Sequence, residues 1–110
     1  MIVWLNGTFG VGKTTVETLL TAKDSRLRMF DPEWVGYMVA NNLTDHEVSD
    51  FQQLAPWRAL TPLVADGVMQ FTGQHFIAVQ SVLTLSYWHE ISSGIRALGH
   101  DILHVLPDRV

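Results

Sequence analysis

The chain has 110 residues, which suits one modest domain with one hydrophobic core, and 47% of them are apolar, which excludes general disorder. A net charge of −4 leaves no cluster of Lys and Arg for a sequence-independent grip on nucleic acid and argues against a helicase. Cysteine is absent, so disulfides and thiolate metal sites are ruled out; no apolar run reaches the ~18 residues of a membrane helix and no basic flank marks a signal peptide, so the chain reads as soluble and cytoplasmic.

The first predicted element is a strand, the apolar run Met1-Ile2-Val3-Trp4-Leu5. Directly after it, Gly7-Thr8-Phe9-Gly10-Val11-Gly12-Lys13-Thr14 spells G-x-x-x-x-G-K-[ST], the P-loop pattern. A triphosphate is densely negative, and such a loop answers with backbone N–H groups that converge only where side chains do not block the phosphate oxygens. Gly7, Gly10 and Gly12 remove those side chains. The following helix adds unpaired N–H groups and the positive end of its dipole. Lys13 contributes a full charge toward the β and γ phosphates, and the Thr14 hydroxyl an oxygen ligand for magnesium. Residues Gly7 to Thr15 are therefore the expected site for ATP or GTP with Mg²⁺, Thr15 being a second hydroxyl of open role. The competing account is a glycine-rich strand-to-helix turn that binds nothing; the flanking apolar strand, and Val16, Leu19 and Leu20 on one helical face, favour the P-loop.

The first helix is predicted over residues 14–24, and Leu27-Arg28-Met29-Phe30 is a short second strand. Asp31-Pro32-Glu33 then has the N-cap, first-turn proline and acidic residue of a helix start, with Val35, Met38, Val39 and Leu43 as its buried face. Residues 44–50 form a polar, acidic loop. A longer helix is expected over residues 56–71, with Leu60, Leu63, Val64, Val68 and Phe71 inward; Pro62 either kinks it or starts a fresh helix capped by Thr61. Gly73 ends it. Phe76-Ile77-Ala78-Val79 is a strand buried on both faces, Trp88, Ile91, Ile95 and Leu98 mark a helix stopped by Gly99, and residues 102–106 form a fourth strand. The order βαβαβαβ implies an α/β fold with a parallel sheet covered on both faces and ligands above the carboxyl ends of its strands.

That placement nominates further residues. Asp31, at the end of the second strand, can take a proton from an acceptor hydroxyl or orient a magnesium-bound water, while equally serving as an N-cap. Glu33 suits the helix dipole more than substrate contact. Arg58 can clamp a phosphate or another anionic group, against a surface salt bridge to Asp50 or Glu47. Trp57 and Phe51 either line an acceptor pocket or belong to the core, and Gln80, Ser81 and Thr84 either face the cleft or cap the next helix. His100 and His104 are four apart but span a loop and a strand, which does not suit zinc; His46, His75 and His89 read as surface or capping residues.

The stretch Ile2 through Thr14, together with Phe30-Asp31-Pro32-Glu33, Gly36, Asp50-Phe51-Gln52 and Trp57-Arg58, resembles the tunicamycin-resistance family of P-loop ATP-binding proteins, over nearly the whole chain. It is also similar to small-molecule kinases such as chloramphenicol phosphotransferase and the nucleotide kinases. The resemblance implies a three-layer P-loop NTPase fold, ATP as the nucleotide, and phosphoryl transfer to a small-molecule hydroxyl or ATP-linked binding of an antibiotic; Lys13, Asp31 and Arg58, nominated above from their own chemistry, are the catalytic candidates. Many such kinases hold magnesium with a carboxylate on another strand, whereas the third strand here ends in Val79-Gln80-Ser81. Relatives also continue into an arginine-bearing lid and a further strand, so the sequence is expected to be an N-terminal fragment or a truncated gene product. The alternatives to a kinase are a non-catalytic protein that sequesters a ligand in an ATP-dependent way, and an inactive remnant with an uncovered apolar edge at the fourth strand.

Overall fold

The computed structural model of the chain describes residues 1–6, 22 and 24–106. The P-loop motif and nearly all of the expected helix over residues 14–24 lie outside the described residues. The described elements are β1 (Ile2–Leu5), β2 (Leu27–Phe30), α1 (Pro32–Asn41), a 3₁₀ turn (Phe51–Gln53), α2 (Ala55–Thr72), β3 (His75–Val79), α3 (Leu85–Ala97) and β4 (Ile102–Val105).

The strands form one parallel sheet in the order β2-β3-β1-β4, as expected of alternating strands and helices. Ile2 is level with Phe76 and Ile102, and Trp4 with Ala78 and His104, so these residues share a face. The chain crosses from β2 to β3 and from β3 to β4 in the same direction along the sheet. Right-handed crossovers then put α2 and α3 on the same face, and that is where the core forms. Ile2, Trp4, Phe76 and Ala78 of the sheet meet Trp57, Ala65 and Met69 of α2 and Trp88, Ile91 and Ile95 of α3. Phe30 extends this layer by stacking on Phe76, with ring centroids 5.0 Å apart. The connection from β1 to β2 runs the opposite way, which makes the neighbouring pair β1 and β3 a switch point of the topology.

Asp31 caps α1 as expected: its backbone is extended (φ −107°, ψ 102°), its carboxylate accepts from Glu33 N at 2.9 Å, and Pro32 follows. The buried face of α1 is Pro32, Val35, Gly36 and Val39, whereas Met38 is exposed and Leu43 lies beyond the helix. Gly36 is buried because the Phe51 ring sits where a side chain would be, with ring atoms 2.5–2.9 Å from an ideal Cβ position.

In α2 the period was anticipated and its phase was not. The inward stripe is Trp57, Thr61, Pro62, Ala65 and Met69; Leu60, Val64 and Val68 sit at the margin of the core, and Leu63 and Phe71 are exposed. The stripe is turned by one residue, about 100°, from the one the bulky apolar residues suggest. Close approach of α3 explains the shift, because Gly94 faces Pro62 with space for no Cβ: Pro62 Cγ lies 2.9 Å from where one would be. Helix crossings this tight select small or compact residues over leucine. The helix runs through Pro62 without a fresh start, and Thr61 donates its hydroxyl to Trp57 O at 2.8 Å instead of acting as a cap. Gly73 ends α2 in the left-handed conformation (φ 70°), and Gly99 (φ 90°) follows α3.

Candidate functional site at the carboxyl edge of the sheet

Parallel strands bring all their carboxyl ends to one edge: Asn6 follows β1, Asp31 follows β2 and Gln80 follows β3. Asn6 is the residue just before the P-loop motif and is buried. Its amide acts as one more rung of the sheet. Oδ1 accepts from Val82 N at 2.7 Å and Nδ2 donates to Val82 O at 3.0 Å, one step beyond the backbone bond from Gln80 N to Leu5 O at 3.2 Å. Only an amide side chain offers a donor and an acceptor in the arrangement a peptide group needs. Nδ2 also lies 3.1 Å from His104 Nε2, which must then accept and belong to a neutral ring. Burial, and secondarily the Arg96 charge, holds the His104 pKa below the ordinary histidine value, in agreement with that tautomer.

The layer beneath this edge is aromatic. His104 stacks on Trp88 at 4.2 Å, and Trp88 packs against Trp4 at 5.3 Å. Trp4 Nε1 in turn donates to Gln80 O at 3.0 Å, and Gln52 Nε2 donates to Ser81 O at 2.7 Å. The backbone of residues 80–82 is therefore fixed from three directions: by β1, by the indole layer and by the 3₁₀ turn. Asp50 starts that turn by accepting from Gln52 N at 3.0 Å.

Gln80 is the exception within this well-satisfied loop. It is only 9% exposed, and its Oε1 is the one buried side-chain polar atom among the described residues with no hydrogen-bond partner. Leaving an acceptor in that condition costs about 1–3 kcal/mol, which a donor seated there would recover. A metal-bound water is such a donor. The chemistry of the edge thus fits a hydrated magnesium ion at the position where the resemblance leads one to look for a carboxylate.

Arg58 is held inside the domain. Its Nε pairs with Glu90 of α3, its Nη1 donates to Gln52 O at 2.7 Å, and its guanidinium lies 4.2 Å from the centre of the Tyr87 ring. Its partner is thus Glu90 rather than Asp50 or Glu47, and it ties α2, α3 and the 3₁₀ turn together close to Ser81. Trp57 is fully buried and donates to Pro32 O at 3.0 Å, and half-buried Phe51 meets it edge-on at 5.0 Å. Trp57 is thus a core residue, and Phe51 packs against that core. Asp31 remains exposed at the edge, two strands or about 10 Å from β1. Glu33 accepts from the Tyr37 hydroxyl at 3.0 Å. Thr84 occupies the N-cap position of α3 without a capping hydrogen bond from its side chain.

The histidines are spread apart. His100 bonds Asp66 at 2.6 Å and His75 meets the N-terminal amine at 2.9 Å, both toward the amino edge of the sheet, while His46 lies beside Asp45. No three His, Asp or Glu side chains converge as a metal site among the described residues. Lys13 and the other motif residues, Gly7 to Thr15, lie outside the described residues. Sequence reasoning passed over Asn6 and His104 as site residues. Their signal was present, since each is a polar residue ending or interrupting an apolar strand run.

No described helix is long and apolar enough to cross a membrane. No family model matches the chain, and no curated protein matches it in sequence. In structure it is similar to the tunicamycin resistance protein of Deinococcus radiodurans, with a TM-score of 0.80 and 26% sequence identity over 96% of this chain. The chain spans 60% of that protein's length, and the similarity supports an α/β architecture compatible with a P-loop-type fold.

Proposed function

We propose that the chain is a P-loop nucleotide-binding protein of the small-molecule-kinase type, which holds Mg·ATP through Gly7 to Thr15 and passes the γ-phosphoryl group to a small-molecule hydroxyl in the cytoplasm. The observation that carries this is positional. The motif G-x-x-x-x-G-K-[ST] begins one residue after Asn6, at the carboxyl end of an inner strand, beside the switch point where open parallel sheets bind ligands. The similarity to a tunicamycin resistance protein supports a link to resistance against an antibiotic of that kind.

Lys13 would carry the phosphate charge and Thr14 would ligate magnesium. The metal would supply charge neutralisation on the phosphates, while the protein positions the groups. Asp31 is a carboxylate at this edge that would accept a proton from the substrate hydroxyl. Arg58 would order the wall of the cleft and reach an anionic group by exchanging it for Glu90. Titration calorimetry with Mg·ATP on the wild-type chain and on Lys13→Ala tests the assignment. Binding that Lys13→Ala abolishes supports it, and equal affinity in both, or none in the wild type, refutes it. One observation favours a second reading, ATP-linked sequestration without turnover: a neutral Gln80 stands where a kinase would place a carboxylate. Transfer of label from γ-labelled ATP to candidate acceptors separates the two.

A further inference from the structure

Gln80 has a vacant hydrogen-bonding position although five backbone groups around it are paired. Its own N bonds Leu5 O, its carbonyl accepts from Trp4, Ser81 O accepts from Gln52, and both Val82 groups bond Asn6. The loop is thus held rigidly with one acceptor, Oε1, buried and unanswered. Phosphate oxygens are themselves acceptors and cannot answer it. On the function proposed above, the triphosphate and its metal would lie beside β1, where the motif starts.

Building on the nucleotide-binding function proposed above, we propose that Gln80 is a positioning residue for the magnesium ion: Oε1 accepts a hydrogen bond from a metal-bound water and so replaces, without charge, the carboxylate usual at this place in P-loop kinases. A carboxylate would attract the ion even without nucleotide. A neutral amide contributes only direction, so metal and triphosphate bind as a unit and the metal alone binds weakly.

The test is calorimetric affinity for ATP, with magnesium and with EDTA, on the full chain carrying Gln80→Leu or Gln80→Glu. Leucine removes the acceptor without leaving another buried polar group, so its thermal midpoint should equal or exceed that of the wild type, which confirms folding. The expected result is that Gln80→Leu loses about fivefold to tenfold of affinity in magnesium and none in EDTA, as for one lost net hydrogen bond. Gln80→Glu should widen the difference between the two conditions. An unchanged magnesium dependence in Gln80→Leu, or an equal loss in both conditions, overturns the role of Gln80 while nucleotide binding stands. Absence of ATP binding by the wild type under both conditions overturns the nucleotide assignment, and this role with it.

Discussion

Asn6→Ala is the most informative substitution outside the Gly7–Thr14 motif, because its effect can be worked from two contacts. Truncation removes the bonds from Asn6 to Val82 N at 2.7 Å and to Val82 O at 3.0 Å, and leaves both peptide groups buried without partners. Each stranded buried group costs about 1–3 kcal/mol, so the two together give a loss of about 2–6 kcal/mol, a large share of the ~5–15 kcal/mol typical of a domain. Urea unfolding followed by tryptophan fluorescence measures it. Faster hydrogen exchange at the Val82 amide would localise it. Asn6→Asp sharpens the argument: it keeps the acceptor for Val82 N but turns an oxygen toward Val82 O. Repulsion and burial then raise the carboxyl pKa, since only the protonated form can donate to that carbonyl. A group bound more tightly to its proton when folded destabilises increasingly as pH rises from ~4 toward neutrality, so Asn6→Asp should recover stability toward acid while Asn6→Ala does not. A loss under about 0.5 kcal/mol in Asn6→Ala, or no pH dependence in Asn6→Asp, would refute the claim that this amide completes the sheet.

Two glycines in helices should respond in opposite directions. In Gly36→Ala the new methyl meets the Phe51 ring, itself lodged between Tyr37 and Trp57, so overpacking of about 1–3 kcal/mol exceeds the helix-propensity gain of up to about 1 kcal/mol and the thermal midpoint falls. Gly67→Ala meets nothing within 4 Å and should raise the midpoint. The Asp66–His100 contact predicts a pH signature: the hydrogen bond from His100, helped by Gln70 and opposed by partial burial, holds the Asp66 pKa below the ordinary value. A depressed carboxyl pKa stabilises above the unfolded value near ~4 and that stabilisation is lost as pH falls through the folded value. The stability gap between wild type and Asp66→Asn should therefore be widest near neutrality and close below about pH 4, as read by urea unfolding in both ranges; a gap that persists in acid contradicts it.

Local chemistry was legible wherever one stretch of chain contains the whole cause. Asp31-Pro32-Glu33 announces the start of α1 because cap, proline and acidic residue all act within one turn, and Gly73 announces the end of α2 because left-handed backbone favours glycine. The motif from Gly7 to Thr14 points to its expected ligand within one contiguous stretch, and it lies outside the described residues. The inward face of α2 was not legible in this way. Leu60, Leu63 and Phe71 mark a stripe by their hydrophobicity, yet the docking of Gly94 against Pro62 turned the helix so that Thr61, Pro62 and Ala65 lie inside.

The candidate site divides along the same line. That the third strand ends in Gln80 with no carboxylate beside it is written in the order of residues; that the Gln80 oxygen is buried and unanswered depends on β1, Trp4 and the 3₁₀ turn closing around it. Arg58 shows its charge in the sequence, but its partner Glu90 is 32 residues away. Asn6 finds Val82 across 76 residues and His104 across 98. The sequence by itself determined the strands and most helix ends, since these follow from backbone preferences and periodicity over a few residues. The tertiary structure decided which faces are buried and which polar groups are paired, because burial and hydrogen bonding at the sheet edge depend on groups that only the packed crossovers bring together.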